Sequence, residues 1–289
     1  MRNSDSVFFD IRGLRYHVRH WPAFSSSTGA PKLVLLHGWM DVSASFQFLV
    51  DALRRDWEVY APDWRGYGLT AWGKADCYWF PDYIADLDLL LQNIEDKPVN
   101  LVGHSLGGNV AAMYAGIRPA RVAKLVNLEG FGMQATRPEQ APGHYARWLD
   151  ELREPSRLRA YSGFAELADR LQQNNARLSR EKAEFLARHW GREEADGVVL
   201  RGDPAHKIVN PVLYRYEEVR ACWQQVTAPV LGLDAAGSDT LKRLGLDAEQ
   251  HAARRAAFAN LKFVTIHDAG HMLHHDQPEA VASVIEEFF

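Results

Sequence analysis

The chain has 289 residues, 47% of them apolar and 24% charged, with a formal net charge of −4. That apolar fraction is ample for a packed core, and the length suits one large domain or two modest ones. With a sequence pI near 6.3, no basic field is available to hold a phosphate backbone or an anionic membrane surface, so neither nucleic acid nor a membrane is an expected partner. No apolar run approaches the ~20 residues of a bilayer span, and Met1-Arg2-Asn3-Ser4-Asp5-Ser6 lacks the apolar stretch of a signal peptide. The expected compartment is therefore the cytoplasm. Cys77 and Cys222 form neither a metal-ligand spacing nor a disulfide framework and read as reduced, structural thiols.

Short apolar runs alternate with longer helical patterns, as in a mostly parallel sheet covered by helices. Phe8 to Arg12 and Leu14 to His20 suit an opening hairpin around Gly13. Ser25 to Gly29 reads as a flexible connection. Lys32 to Leu36, Glu58 to Ala61, Val99 to Gly103 and Val122 to Leu128 suit successive core strands, and Pro229 to Leu233 and Lys262 to Ile266 complete a sheet of eight. Phe46, Leu49, Val50 and Leu53 recur at helical spacing, as do Ile84, Leu87, Leu91 and Ile94, marking two amphipathic helices. Residues 133–226 break the alternation and read as an inserted helical cap, leaving 1–132 and 227–289 as the core domain. The cap carries Trp148, Tyr161, Phe164, Phe185, Trp190, Tyr214, Tyr216 and Trp223. Most of these suit a small core of its own, and a few would face a pocket below.

The chemistry centres on Val99-Asn100-Leu101-Val102-Gly103-His104-Ser105-Leu106-Gly107-Gly108. A strand turning sharply into a helix holds Ser105 in a strained conformation, with Gly103 and Gly107 letting neighbouring backbones pass. A serine hydroxyl needs a general base and an oriented acid behind it. Among twelve histidines the best placed base is His271, after the last strand and before the helix that Pro278 opens. His271, His274 and His275 lie close in sequence, but a metal site needs further ligands, and no metal or cofactor is implied. For the acid, the loop after Pro229 to Leu233 selects Asp239, with Glu129 at the end of its strand as the alternative and Asp234 third. Asp239 also suits a helix N-cap before Thr240-Leu241-Lys242-Arg243. Two backbone N–H groups are needed for the oxyanion, each contributing ~3 kcal/mol to the transition state; Leu106 and Trp39 are the candidates. His37, Gly38, His104, Trp64 and Phe131 are expected around the substrate pocket, His37 also bracing the turn.

These motifs resemble the α/β-hydrolase fold family. His37-Gly38-Trp39-Met40-Asp41 resembles its oxyanion turn, Asp63-Trp64-Arg65-Gly66-Tyr67-Gly68 its Asp-x-Arg-Gly-x-Gly loop, Gly103 to Gly108 its elbow and Gly270-His271 its histidine loop. The start His-Gly-Trp-x-Asp, with Leu200-Arg201-Gly202-Asp203-Pro204 and Asn210-Pro211 closing the cap, is most similar to the capped serine hydrolase-like group. One departure is Asp234-Ala235-Ala236-Gly237-Ser238-Asp239, which alters the family's Gly-x-x-Asp acid spacing. Haloalkane dehalogenases and epoxide hydrolases share fold and cap, but the resemblance implies an aspartate nucleophile for them, where this chain has Ser105. The expectation is a serine-dependent hydrolase of a small carboxylic ester or related acyl compound, acting through an acyl-enzyme. Carbon–carbon or amide hydrolysis, perhydrolysis, or a binding protein with little turnover are the alternatives.

Overall fold

The computed structural model describes residues 1–25, 29–154 and 157–289. Most of the small polar connection expected at Ser25 to Gly29 lies outside them. In chain order the strands are β1 (Asp5–Ile11), β2 (Leu14–Trp21), β3 (Lys32–Leu36), β4 (Glu58–Pro62), β5 (Val99–His104), β6 (Val122–Leu128), β7 (Gly191–Glu194), β8 (Gly197–Leu200), β9 (Val230–Ala235) and β10 (Leu261–Ile266). The helices are α1 (Gln47–Ala52), α2 (Phe80–Ile94), α3 (Leu106–Ile117), α4 (Ala141–Arg153), α5 (Phe164–Asn174), α6 (Arg180–Trp190), α7 (Tyr216–Trp223), α8 (Thr240–Arg243), α9 (Ala248–Arg255), α10 (Leu273–Asp276) and α11 (Pro278–Phe288). Eight strands form one sheet in the order β1-β2-β4-β3-β5-β6-β9-β10. β1 and β2 pair antiparallel, β2 meets β4 antiparallel, and the remaining pairs are parallel.

The inner strands are apolar on both faces because both faces are covered. In β3, Val34 and Leu36 pack with Leu87 and Leu91 of α2 and Val110 and Tyr114 of α3, whereas Leu33 and Leu35 pack with Leu49 of α1 and Ile285 of α11. The period of two thus splits one run between two cores. Loops at the carboxyl ends of the parallel strands are consequently gathered at one edge of the sheet, where open α/β sheets place their ligands.

Between β6 and β9 the chain leaves the sheet. This segment is not the purely helical cap that was expected: β7 and β8 form an antiparallel hairpin beside α5 and α6, with Tyr161 bridged to Val198. A separate apolar cluster joins Tyr161, Leu167, Leu186 and Val198, with Phe164, Phe185 and Trp190 packed against it. Trp223 belongs instead to the main core, stacked on Phe258 at 5.2 Å. Among the described residues no helix is long and apolar enough to cross a membrane.

The Asp63-to-Gly68 loop is locked by two buried carboxylates. Asp63 accepts from His17 Nδ1 (2.7 Å), Ser43 N–H (2.6 Å) and Leu69 N–H (2.8 Å). Burial pushes its carboxyl up, but the hydrogen bond and charge of His17 outweigh that and hold it well below the usual range. Asp86, fully buried on α2, receives Arg65 Nε and Nη2 at 2.6 Å each and the Tyr16 hydroxyl at 2.9 Å, tying β2, the loop and α2 together. Removing one member of such a set leaves the other charge buried without its partner. Asp86→Ala should therefore lower unfolding stability by about 3 kcal/mol in urea titrations, whereas a surface-like loss under about 1 kcal/mol would contradict this role.

Candidate active site

Ser105 stands between β5 and α3 with φ +51° and ψ −111°, in a region that L side chains rarely adopt. The cause is a close approach. A Cβ on Gly107 would run into the Leu36 carbonyl oxygen, and one on Gly103 would run into Gly107 itself. The turn is pinned by Ser105 N–H on the Leu128 carbonyl (2.8 Å) and by Asn109, whose N–H and Nδ2 both donate to the Ser105 carbonyl (3.0 and 3.1 Å). Leu106 opens α3, so its N–H belongs to the unsatisfied first turn of a helix.

Glu129, one residue beyond β6, is also in the left-handed region, at φ +54°. Its neighbour Gly130 is bracketed by the buried Asn127 amide, which accepts from Gly130 N–H and donates to Gly130 C=O, each at 2.8 Å. The turn carries the Glu129 carboxylate to His271: Oε2 accepts from Nδ1 at 2.7 Å. Ser238 Oγ (2.6 Å) and Thr240 Oγ1 (2.8 Å) also donate to Oε2, and Ala235 N–H donates to Oε1 (2.9 Å). Burial pushes this carboxyl up, but the hydrogen bonds from His271, Ser238 and Ala235 more than offset it and bring it down to about 2. The group is an anion throughout the physiological range.

The geometry brings Glu129, and not the expected Asp239, against His271. The Asp239 side chain is 66% exposed and pairs with Arg243 at 2.9 Å, while that of Glu129 is 3% exposed against His271. Asp239 merely precedes α8, without capping it through its side chain. Asp234 lies within β9, 3.7 Å from His251, where burial first and the Glu129 charge second push its carboxyl up to about 7. The helpers Ser238, Thr240 and Asn127 were not anticipated. Their signal was faint: a charged residue ending a core strand between a buried Asn and a Gly.

Ser105 and His271 line one cavity of about 270 Å³, together with Trp39, Leu106, Phe80, Met113, Tyr214 and Val219. Trp39 is 55% exposed at its mouth, and Arg243 contributes a cation there. None of the five expected pocket residues lines it. Trp64 is buried in the core, its indole donating to the His37 carbonyl at 2.9 Å, and His37 is spent on the turn, with Nδ1–H on Gly38 C=O (2.8 Å) and Nε2 accepting Trp64 N–H (2.9 Å). Burial pushes His37 down to about 4, so it is neutral and braces the turn. Phe131 packs against Phe258 and Phe263 and faces a smaller hollow behind Glu129. His104 is buried, its Nε2–H donating to the His271 carbonyl at 2.8 Å. Gly38 also lies outside the cavity lining, its backbone closing on His104 and Ser105.

Comparison with known proteins agrees with this layout. Residues 31–278 match the family described as alpha/beta hydrolase fold. A serine hydrolase-like protein of Danio rerio is 30% identical over 271 residues, covering 91% of this chain and 82% of that protein. A pimeloyl-[acyl-carrier protein] methyl ester esterase of Vibrio campbellii is 39% identical, but over 109 residues, 38% of this chain and 39% of its own length. Among solved structures, the thioesterase domain from the curacin biosynthetic pathway superposes with a TM-score of 0.87 at 22% identity, covering 98% of this chain and 99% of that one. The sheet order, the elbow and the match over most of its length make this chain a member of the α/β-hydrolase fold family, close to its serine hydrolase-like group.

Proposed function

We propose that the protein is a serine-dependent hydrolase of small carboxylic esters or related acyl compounds, with Ser105, His271 and Glu129 as its triad. The observation that carries this reading is the 2.7 Å bond from His271 Nδ1 to an ionised, buried Glu129, in a histidine that shares a cavity with a strained serine. Because Nδ1–H is committed to the carboxylate, the neutral ring keeps its lone pair on Nε2, the tautomer a general base requires. His271 takes the Ser105 proton as Oγ adds to the substrate carbonyl, and Glu129 stabilises the imidazolium without accepting that proton. The Leu106 and Trp39 N–H groups hold the oxyanion. His271 then returns the proton to the leaving alcohol, and the same base activates water to cleave the acyl-enzyme.

The apolar lining and the modest volume of the cavity favour short acyl groups. The Vibrio relative, whose name is that of a methyl ester esterase, is consistent with ester chemistry in the matched part of the chain.

A panel of p-nitrophenyl esters of increasing chain length tests the reading. Ser105→Ala should abolish turnover, Glu129→Gln should lower kcat about 10²- to 10⁴-fold with little change in KM, and Asp239→Asn should stay within about twofold. A wild-type rate in Ser105→Ala, or a larger loss in Asp239→Asn than in Glu129→Gln, would overturn the assignment. The depressed Glu129 carboxyl also has a stability consequence of fixed sign. Its contribution, up to about 3 kcal/mol, is complete above the ordinary carboxylate value near 4.5 and is lost as pH falls toward 2. The gap between urea titrations of wild type and Glu129→Gln should thus narrow by about 2 kcal/mol between pH 6 and 3; a gap constant over that range would show that Glu129 is not held ionised by the fold.

A further inference from the structure

A second group of side chains meets directly behind the elbow. Asp41 follows the turn after β3, His104 ends β5 and His274 lies in α10; they are 2%, 2% and 0% exposed. One ligand atom from each lies within 4.8 Å of the other two.

Hydrogen-bond bookkeeping shows what this pocket lacks. The His104 Nε2 faces the His271 carbonyl, which only accepts, so the proton is on Nε2 and Nδ1 carries a lone pair. That Nδ1 has no partner among the described residues. Asp41 Oδ1 takes Val42 N–H at 2.8 Å and the Ser45 hydroxyl, while Oδ2 has no partner. Neither ring nitrogen of His274 has one either. The neighbouring His275 is already committed, donating from Nε2 to Ser45 Oγ at 3.0 Å. With the Asp41 carboxyl ionised, three buried acceptors converge, and neutral His274 brings a single N–H to share among them. The Trp190 indole N–H also bears on Asp41, but it too ends without a hydrogen bond. Each such unsatisfied buried group is destabilising.

A cation removes that deficit, and the donor set selects which kind. Two neutral imidazoles with one carboxylate suit zinc and its borderline neighbours, whereas calcium and magnesium require shells of oxygen. We infer that Asp41, His104 and His274 form a buried site for a divalent transition metal of the zinc type, separate from the Ser105 cavity. Metal–ligand bonds of about 2.0–2.2 Å draw the donors together by roughly 1 Å, and the His274 ring is held by packing against Phe46, His104 and His275 and not by any hydrogen bond. The bound ion clasps three segments at once: the turn carrying Trp39, the end of β5 just before Ser105, and α10 just after the loop carrying His271. Sequence spacing concealed the site, because its ligands are about sixty and one hundred and seventy positions apart and meet only through the sheet.

The test is to incubate the whole protein with one equivalent of zinc chloride, remove loosely held ion by gel filtration, and measure retained zinc. Crystals of the same sample give an anomalous difference map at the zinc edge. About one zinc per chain is expected, with an anomalous peak between the three side chains and a rise in melting temperature that Asp41→Asn and His274→Ala abolish. No retained zinc, a peak only at surface histidines, or water alone between the three side chains would overturn the site. The wild-type map decides the matter even if either variant fails to fold.

Discussion

The structure turns on one backbone contact: the first turn of α3 lies so close to the end of β3 that no Cβ fits at Gly107 beside the Leu36 carbonyl. Everything at the catalytic edge follows from that approach. It draws the chain round at Ser105 into a positive φ, lifts the side chain out of the sheet, and leaves the Leu106 N–H at the open end of a helix. Holding a residue there costs of the order of 1–3 kcal/mol, and the ladder bond to Leu128 and the two donors of Asn109 offset it.

The same device recurs one strand away. His104 and Leu128 are paired across β5 and β6, so Ser105 and Glu129 are the next residues on adjacent strands, and both have positive φ. One strained turn presents the Ser105 hydroxyl and its neighbour presents the Glu129 carboxylate. His271 reaches this pair from the loop after β10, where Gly237 N–H on the Ala269 carbonyl (2.9 Å) couples the histidine loop to the loop that carries Ser238 and Thr240. The carboxylate is thereby fixed by four donors drawn from two loops and the end of a strand, which is why burial does not neutralise it.

Much of this was legible in the order of residues, for identifiable reasons. Strands covered on both faces must be apolar, so the inner strands β3, β5, β6 and β9 stand out, and the glycines around Ser105 mark a backbone crossing. The meeting of Glu129 with His271 was not legible because it depends on a torsion angle. Nothing local in Leu128-Glu129-Gly130 states that Asn127 will bracket Gly130 and turn the side chain toward His271. Nor does the sequence show that β9 runs on to Ala235, which puts Asp234 into the ladder opposite Thr265 and leaves Asp239 at the solvent-exposed start of α8. Trp64, Phe131, His37 and His104 were drawn to the pocket by proximity to the motifs; each is instead consumed by packing or by a backbone hydrogen bond. The β7–β8 hairpin escaped notice because four-residue strands such as Gly191–Glu194 carry too few apolar positions to show a period of two.

The claim on which the account rests is that Ser105 is an activated nucleophile, and chemical trapping addresses it most directly. Folded protein treated with a fluorophosphonate should gain one adduct, located by peptide mapping on the segment containing Ser105, and prior heat denaturation should prevent the labelling. A folded sample that takes up no label, or takes it up at another residue, would contradict the account.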